Sequence, residues 1–214
     1  MTSPAAQVTW EDIFTLVQEA RDAAGASRLN ISSYRVHAWQ RLAEVFRATK
    51  AYETSWDNAS GGDLTLTTYI APLPVDCLLV TRVEWDGSDT PLEIVSEEDL
   101  DYDEPGWRDE TGGDPTKCVI TGRRLLLNTT PDSPVTGKLV VRGYGVPSDS
   151  DILSYLPVDG PRHLATGILS LCPWRTDNQG EIALKQQATQ EWNLVGLPAL
   201  SAGVMARRTR PFWY

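Results

Sequence analysis

Cysteine, histidine and basic side chains are all scarce in this 214-residue chain. Its three cysteines, Cys77, Cys118 and Cys172, are odd in number, far apart and never in a CxxC pair. That excludes a disulfide framework and a cysteine-based zinc site, so reduced, mostly buried thiols are expected. Two histidines, His37 and His163, leave no room for most histidine metal sites and weaken any catalytic triad. Nineteen basic residues against 29 acidic ones give a net charge of -10. An excess of that sign argues against non-specific nucleic-acid binding by the body of the protein. No apolar run approaches the roughly 20 residues of a membrane span. The opening MTSPAAQVTWEDIF has neither a basic start nor an apolar core, so no signal peptide is expected. GxSxG, P-loop, HExxH and a GxGxxG after a strand are all missing, and no carboxylate pair stands out as a glycosidase pair. No enzyme, cofactor or metal is therefore expected.

What is present is a globular composition, with 41% hydrophobic and 22% charged residues and eight tryptophans. The N-terminal part reads as helix. Thr9 and Asp12 resemble a capping box, and Trp10, Ile13, Val17, Ala20 and Ala24 follow at helical spacing before Gly25. A second helix begins at the capping oxygens of residues 30–33 and carries Tyr34, Ala38, Trp39, Leu42, Phe46 and Thr49 on one face. From residue 64 to 146 the period changes to that of strands: 64–68, 76–86, 118–120, 124–127 and 139–144, with Gly122-Arg123 as a hairpin turn. Only Trp85 and Trp107 are assigned to this part. After Pro157 helices return. Asp159 and Pro161 open a third, and a fourth runs from about Glu181 to Val195, with Leu184, Ala188, Trp192 and Val195 buried and Gly196 and Pro198 ending it.

The fold class expected is α+β. Two N-terminal and two C-terminal helices (1–52 and 156–200) form a bundle, interrupted by a small antiparallel β insertion (53–155) and followed by an extended C-terminal arm (201–214).

Two constellations carry the functional reading. Glu97, Glu98, Asp99, Asp101, Asp103 and Glu104 crowd into eight positions. Asp99, Asp101, Asp103 and Glu110 match EF-hand positions 1, 3, 5 and 12, but Glu104 stands where that loop needs glycine, and Pro105 follows. A solvated acidic loop is the simpler reading, and a negative wall that lets DNA slide past without sticking is a third. The second constellation is Arg207, Arg208 and Arg210 beside Phe212, Trp213 and Tyr214, a mixture typical of interface hot spots. It reads as a docking arm whose charge suits an acidic neighbour, another copy of this chain included. Tryptophan stacking platforms of a carbohydrate-binding module, or a hydrolase, are the competing classes.

A series of soft motifs then falls in a telling order. Pro72-Leu-Pro-Val-Asp-Cys77 runs into Leu-Leu-Val-Thr-Arg-Val-Glu-Trp-Asp-Gly87, followed by Pro91-Leu92, the acidic stretch with Leu100-Asp101, and Trp107. Arg124-Leu-Leu-Leu127, Pro131-Asp132, Gly137-Lys-Leu-Val-Val-Arg-Gly-Tyr-Gly-Val-Pro147 and Leu156-Pro157 complete it ahead of the His163 helix. Over residues 10–195 the chain resembles the adaptor, or head-completion, proteins of tailed bacteriophages, of the kind represented by tail tubular protein A. The resemblance implies a virion protein of the neck that forms a ring, a dodecamer in that family, under the portal protein. Such a ring extends the DNA channel, lets double-stranded DNA pass without specific binding, and offers a tail or second connector protein a surface. It also implies that the arm residues Arg207, Arg208, Arg210, Phe212, Trp213 and Tyr214 dock on the portal; the charge of residues 97–104 makes them the candidate lining of the channel. Another virion component, a tail-completion or baseplate protein, is the alternative.

Overall fold

A computed structural model of the chain describes residues 9–28, 30–86, 90–132, 136–148 and 152–208. It divides into two compact units, one made of residues 1–51 with 146–214 and the other of Tyr52–Gly145.

The helical unit opens with α1 (Trp10–Ala23) and α2 (Ile31–Thr49). The capping box of α1 is complete. Asp12 N–H donates to Thr9 Oγ1 at 3.3 Å, and Thr9 N–H donates to Asp12 Oδ2 at 2.8 Å. Asn30 caps α2 by accepting from Ser32 N–H at 2.8 Å. Ile13 and Val17 of α1, and Tyr34, Ala38, Leu42, Val45 and Phe46 of α2, are buried. The central element is α4 (Gly160–Leu171), which packs against α1, α2, α5 (Gln179–Glu191) and α6 (Leu197–Arg208). Its small residues explain why so many helices can reach it, since Gly167 lies directly against the fully buried ring of Trp192.

Three differences from the sequence expectation lie here. Gly196 and Pro198 do not end the fourth helix. The chain widens into one π-helical turn (Trp192–Gly196) and continues as α6. Proline suits this place because the first turn of a helix has no intrahelical acceptor for its missing N–H. The extra residue of the π turn rotates Val195 outward, so it is half exposed, not buried. Consequently residues 201–208, expected to begin an extended arm, are helical.

The β unit (β1 Glu53–Asp57, β2 Ile70–Pro72, β3 Cys77–Trp85, β4 Glu93–Val95, β5 Lys117–Thr121, β6 Arg124–Leu127, β7 Leu139–Gly145) holds two sheets, ordered β1-β7-β3 and β2-β6-β5-β4. Trp56, Val83, Trp85, Leu125, Leu127, Leu139 and Val141 belong to one shared core. Leu126, between two core residues on β6, joins Leu100, Trp107 and Val119 in a smaller cluster beneath a helix, α3 (Glu97–Asp103). With both faces covered, β6 reads as a continuous leucine run and not as an alternation. Gly122, at φ +59°, turns the β5–β6 hairpin. The unit is not wholly antiparallel, because β4 pairs parallel with β5. Residues 64–68 form no strand, and only Thr67 makes an isolated bridge, to Ile70. Trp56 on β1 is a third tryptophan of this unit. The ends of the unit meet: β1 pairs with β7, and Gly145 N–H donates to Tyr52 O at 2.9 Å.

Candidate interaction surfaces

The acidic constellation of residues 97–104 is not a loop. Ser96 caps α3 by accepting from Asp99 N–H at 3.0 Å and donating to Asp99 Oδ2 at 2.6 Å. Carboxylates at helix positions two apart point in opposed directions, so Asp99, Asp101 and Asp103 do not converge as they would in a calcium loop. Among the described residues no group of His, Cys, Asp or Glu is placed to hold a metal ion.

Much of the negative charge is matched locally. Arg108 reaches Glu97 and Asp101, each at 2.5 Å, and lies 4.4 Å from the Trp107 ring centroid. The Trp107 indole also donates to Asp101 at 2.7 Å. Arg108 first and this indole second hold the Asp101 carboxyl below its ordinary range. Lys117 binds Glu104 at 3.0 Å, and Asn128 donates to the other oxygen of Glu104 at 3.0 Å. Asn128 and then Lys117 hold Glu104 below its ordinary range too. Glu98 and Asp103 are exposed. Six carboxylates against two cations leave the patch negative.

The tryptophans of the β unit follow one rule. Trp56, Trp85 and Trp107 are buried, and their indoles donate to Asp76 (3.2 Å), Asp114 (2.8 Å) and Asp101 (2.7 Å). A buried indole N–H needs an acceptor, and a rim carboxylate supplies a strong one. Burial of this kind removes these rings as sugar-stacking platforms.

Beside this network lies a polar hollow of about 440 Å³, walled by Glu104, Glu110, Asp114, Thr116, Asn128 and Thr129. Gly112 and Gly113, both at positive φ, carry its loop through a turn that side chains rarely allow. A second hollow, of about 350 Å³, shares Asp114 and Thr116 and adds Trp85, Asp86, Pro91, Leu92 and Pro115. Nothing in the sequence flagged this pair. The glycine-rich stretch of residues 110–116, with its two acids Glu110 and Asp114, was the available signal.

On the helical unit a mostly apolar groove of about 450 Å³ runs along Trp10, Arg35, Val36, Ala38, Trp39 and Gln40. His163 lies at the start of α4, and its Nδ1 and the Trp192 Nε1 are buried without a hydrogen-bond partner. His37 is near Gln40. Among the described residues, neither histidine belongs to a group of three or more His, Cys, Asp or Glu that could hold a metal ion. Of the docking-arm residues, Arg207 and Arg208 close α6, while Arg210, Phe212, Trp213 and Tyr214 lie outside the described residues. The structure therefore brings together most of the acidic group and does not show the arm.

What these surfaces offer a partner is shape and charge, as in a structural protein built for contacts. The family model described as SU10 adaptor protein matches residues 9–210, a span that takes in both units. The chain belongs to that family of phage adaptors, which are structural phage proteins and not enzymes, and membership implies a virion component. A comparison with curated proteins finds no match.

Proposed function

We propose that the protein is a head-to-tail adaptor that assembles as a ring beneath the portal, extends the DNA channel and gives the tail or a second connector its seat. The family match over residues 9–210 carries this reading, because it spans the helical and β units together and not one motif. The net charge of -10 supports it, since a negative wall repels phosphate and lets DNA slide. The α3 patch is the strongest candidate for such a wall. A closed ring multiplies modest subunit contacts, so each added copy is held by two neighbours and by the portal above it.

The test is co-sedimentation of the purified chain with the portal ring from the same source, followed by electron microscopy of the pellet. A ring of added density on the portal is expected. An intact portal that gains none would overturn the reading.

A further inference from the structure

Within the helical unit, the exposed faces of α1 and α2 carry opposite charge. On α1, Asp12, Leu16 and Glu19 recur at helical spacing on the side turned away from the buried Ile13 and Val17, with Glu11 and Asp22 exposed beside them. The helix has one basic residue, Arg21, and it is buried. Its guanidinium donates to Ser27 O at 2.8 Å and to Pro173 O at 3.4 Å, and lies 4.6 Å from the Trp174 ring centroid. The outward charge of α1 is therefore all acidic. On α2, Val36, Gln40 and Arg47 recur on the exposed side, with Arg35 beside them and Lys50 at the helix end. The one acid of α2, Glu44, is held by Arg41 at 2.6 Å. Among the described residues, Arg35, Arg47 and Lys50 have no ion pair, and neither do Glu11, Glu19 and Asp22. The apolar groove of about 450 Å³ opens on this cationic face, with Trp10, Val36 and Trp39 in its wall and no carboxylate among its described lining.

We propose that this groove seats α1 of a second copy of the chain, with Leu16 on the apolar wall and the α1 carboxylates against Arg35, Arg47 and Lys50. Each face leaves like charges unpaired in a single copy, and bringing the two faces together pairs them and fixes their register. Val36 and Trp39 supply an apolar centre and the cations a polar rim, which is the anatomy of a specific interface. The two faces lie on different helices, so the contact is heterologous. Each copy offers α1 to one neighbour and α2 to the other, and the contact can repeat around a closed ring. A contact held largely by exposed charge is weak alone. That suits a subunit gathered by a platform that collects many copies. The presence of the second copy rests on the ring reading above; the charge match of the two faces does not.

The experiment is sedimentation velocity of the full chain over a rising concentration series, at low and at high salt. Reversible self-association is expected, weakening as salt is raised. Two charge-reversed chains are then compared, Glu19→Lys with Asp22→Lys on α1, and Arg35→Glu with Arg47→Glu on α2. All four positions are exposed, and circular dichroism checks that both variants are folded. Each variant alone is expected to self-associate at least tenfold more weakly than the parent. Their equimolar mixture is expected to regain association, because the two reversed faces match each other and the two untouched faces still match. A parent chain that stays monomeric throughout the series, variants that associate like the parent, or a mixture no stronger than its components overturns the proposal. If both variants still build the parent's ring on the portal, α1 and α2 are not the contact; the proposal fails and the adaptor reading stands. If the mixture regains association but the parent adds no density to the portal, the adaptor reading fails and the docking surface stands.

Discussion

Gly167→Ala is a sharp test of how the helical unit is packed, because two effects of opposite sign act at one atom. In a helix interior, alanine for glycine adds about 1 kcal/mol of stability through backbone entropy. Against that, the new methyl would lie 2.5 Å from Cε3 and 2.6 Å from Cζ3 of Trp192. The ring has little freedom to retreat. It is fully buried, the Arg41 guanidinium lies 4.9 Å from its centroid, and Gly196 leaves no room for even a methyl beside Cε3. Overpacking against an immobile group costs about 3 kcal/mol at the upper end of its usual range. The clash should therefore win, with a net loss of about 2 kcal/mol, or a Tm lower by about 4–8 °C for a chain of this length. Far-UV circular dichroism is the assay of choice, because it does not depend on the tryptophan being altered. The double variant Gly167→Ala/Trp192→Leu supplies the control. Leucine leaves space that the new methyl fills, so the pair should be less destabilising than the sum of the single changes by about 1 kcal/mol or more. A Gly167→Ala protein as stable as the parent, or strict additivity in the double variant, refutes the reasoning.

Three further outcomes are expected. Burial pushes Cys118 up to about 12 and Cys77 up to about 11, so both thiols stay protonated in the fold after an unfolded chain has begun to ionise its own. Stability should be complete below the ordinary thiol range and fall as pH rises from about 9 toward 12, which urea midpoints across that window will show. Asp101 shifts the other way. Its contribution is present above the ordinary carboxylate range and is lost as pH falls through its lowered value, so a small deficit of Asp101→Asn in urea midpoint at pH 7 should shrink toward pH 3. Gly143→Ala drives a methyl onto the backbone carbonyl oxygen of Leu79 across the β3–β7 pair, and should cost about 3 kcal/mol by chemical denaturation.

The legible parts of this chain were those set by local chemistry. The Thr9–Asp12 box, the Asn30 cap, the stripe of α2, the β5–β6 hairpin at Gly122 and the strands around Val83, Leu125 and Val141 each follow from neighbouring residues. What escaped was non-local or a close contest. α3 hid among six acids because its helix rests on a single deeply buried residue, Leu100, and on the Ser96 cap. The π turn was invisible because Gly196 and Pro198 spell a helix end in any local reading, while the packing of α6 on α4 overrides them. The parallel β4–β5 pair depends on where α3 returns the chain, which no strand pattern encodes. The site was harder still. The composition of residues 97–104 announced charge but not its pairing with Arg108 and Lys117, and the double hollow is built from loops that converge only after both sheets form.

The pairing of β1 with β7 has a kinetic consequence. Until those strands meet, α2 and α4 are joined by a slack chain of about 110 residues, and bringing them together costs about 4 kcal/mol in loop-closure entropy. Once Gly145 is held to Tyr52, only about 18 residues still separate the two helices and the cost falls to about 2.5 kcal/mol. The order of events during synthesis follows. The N-terminal helices emerge first with only each other to pack on, Tyr34 Oη donating to Trp10 O at 3.1 Å; the β unit then closes the chain, and α4 packs on α1 and α2 afterwards. A subunit made this way matures from its middle outward, so the helices are the last part to become competent for assembly.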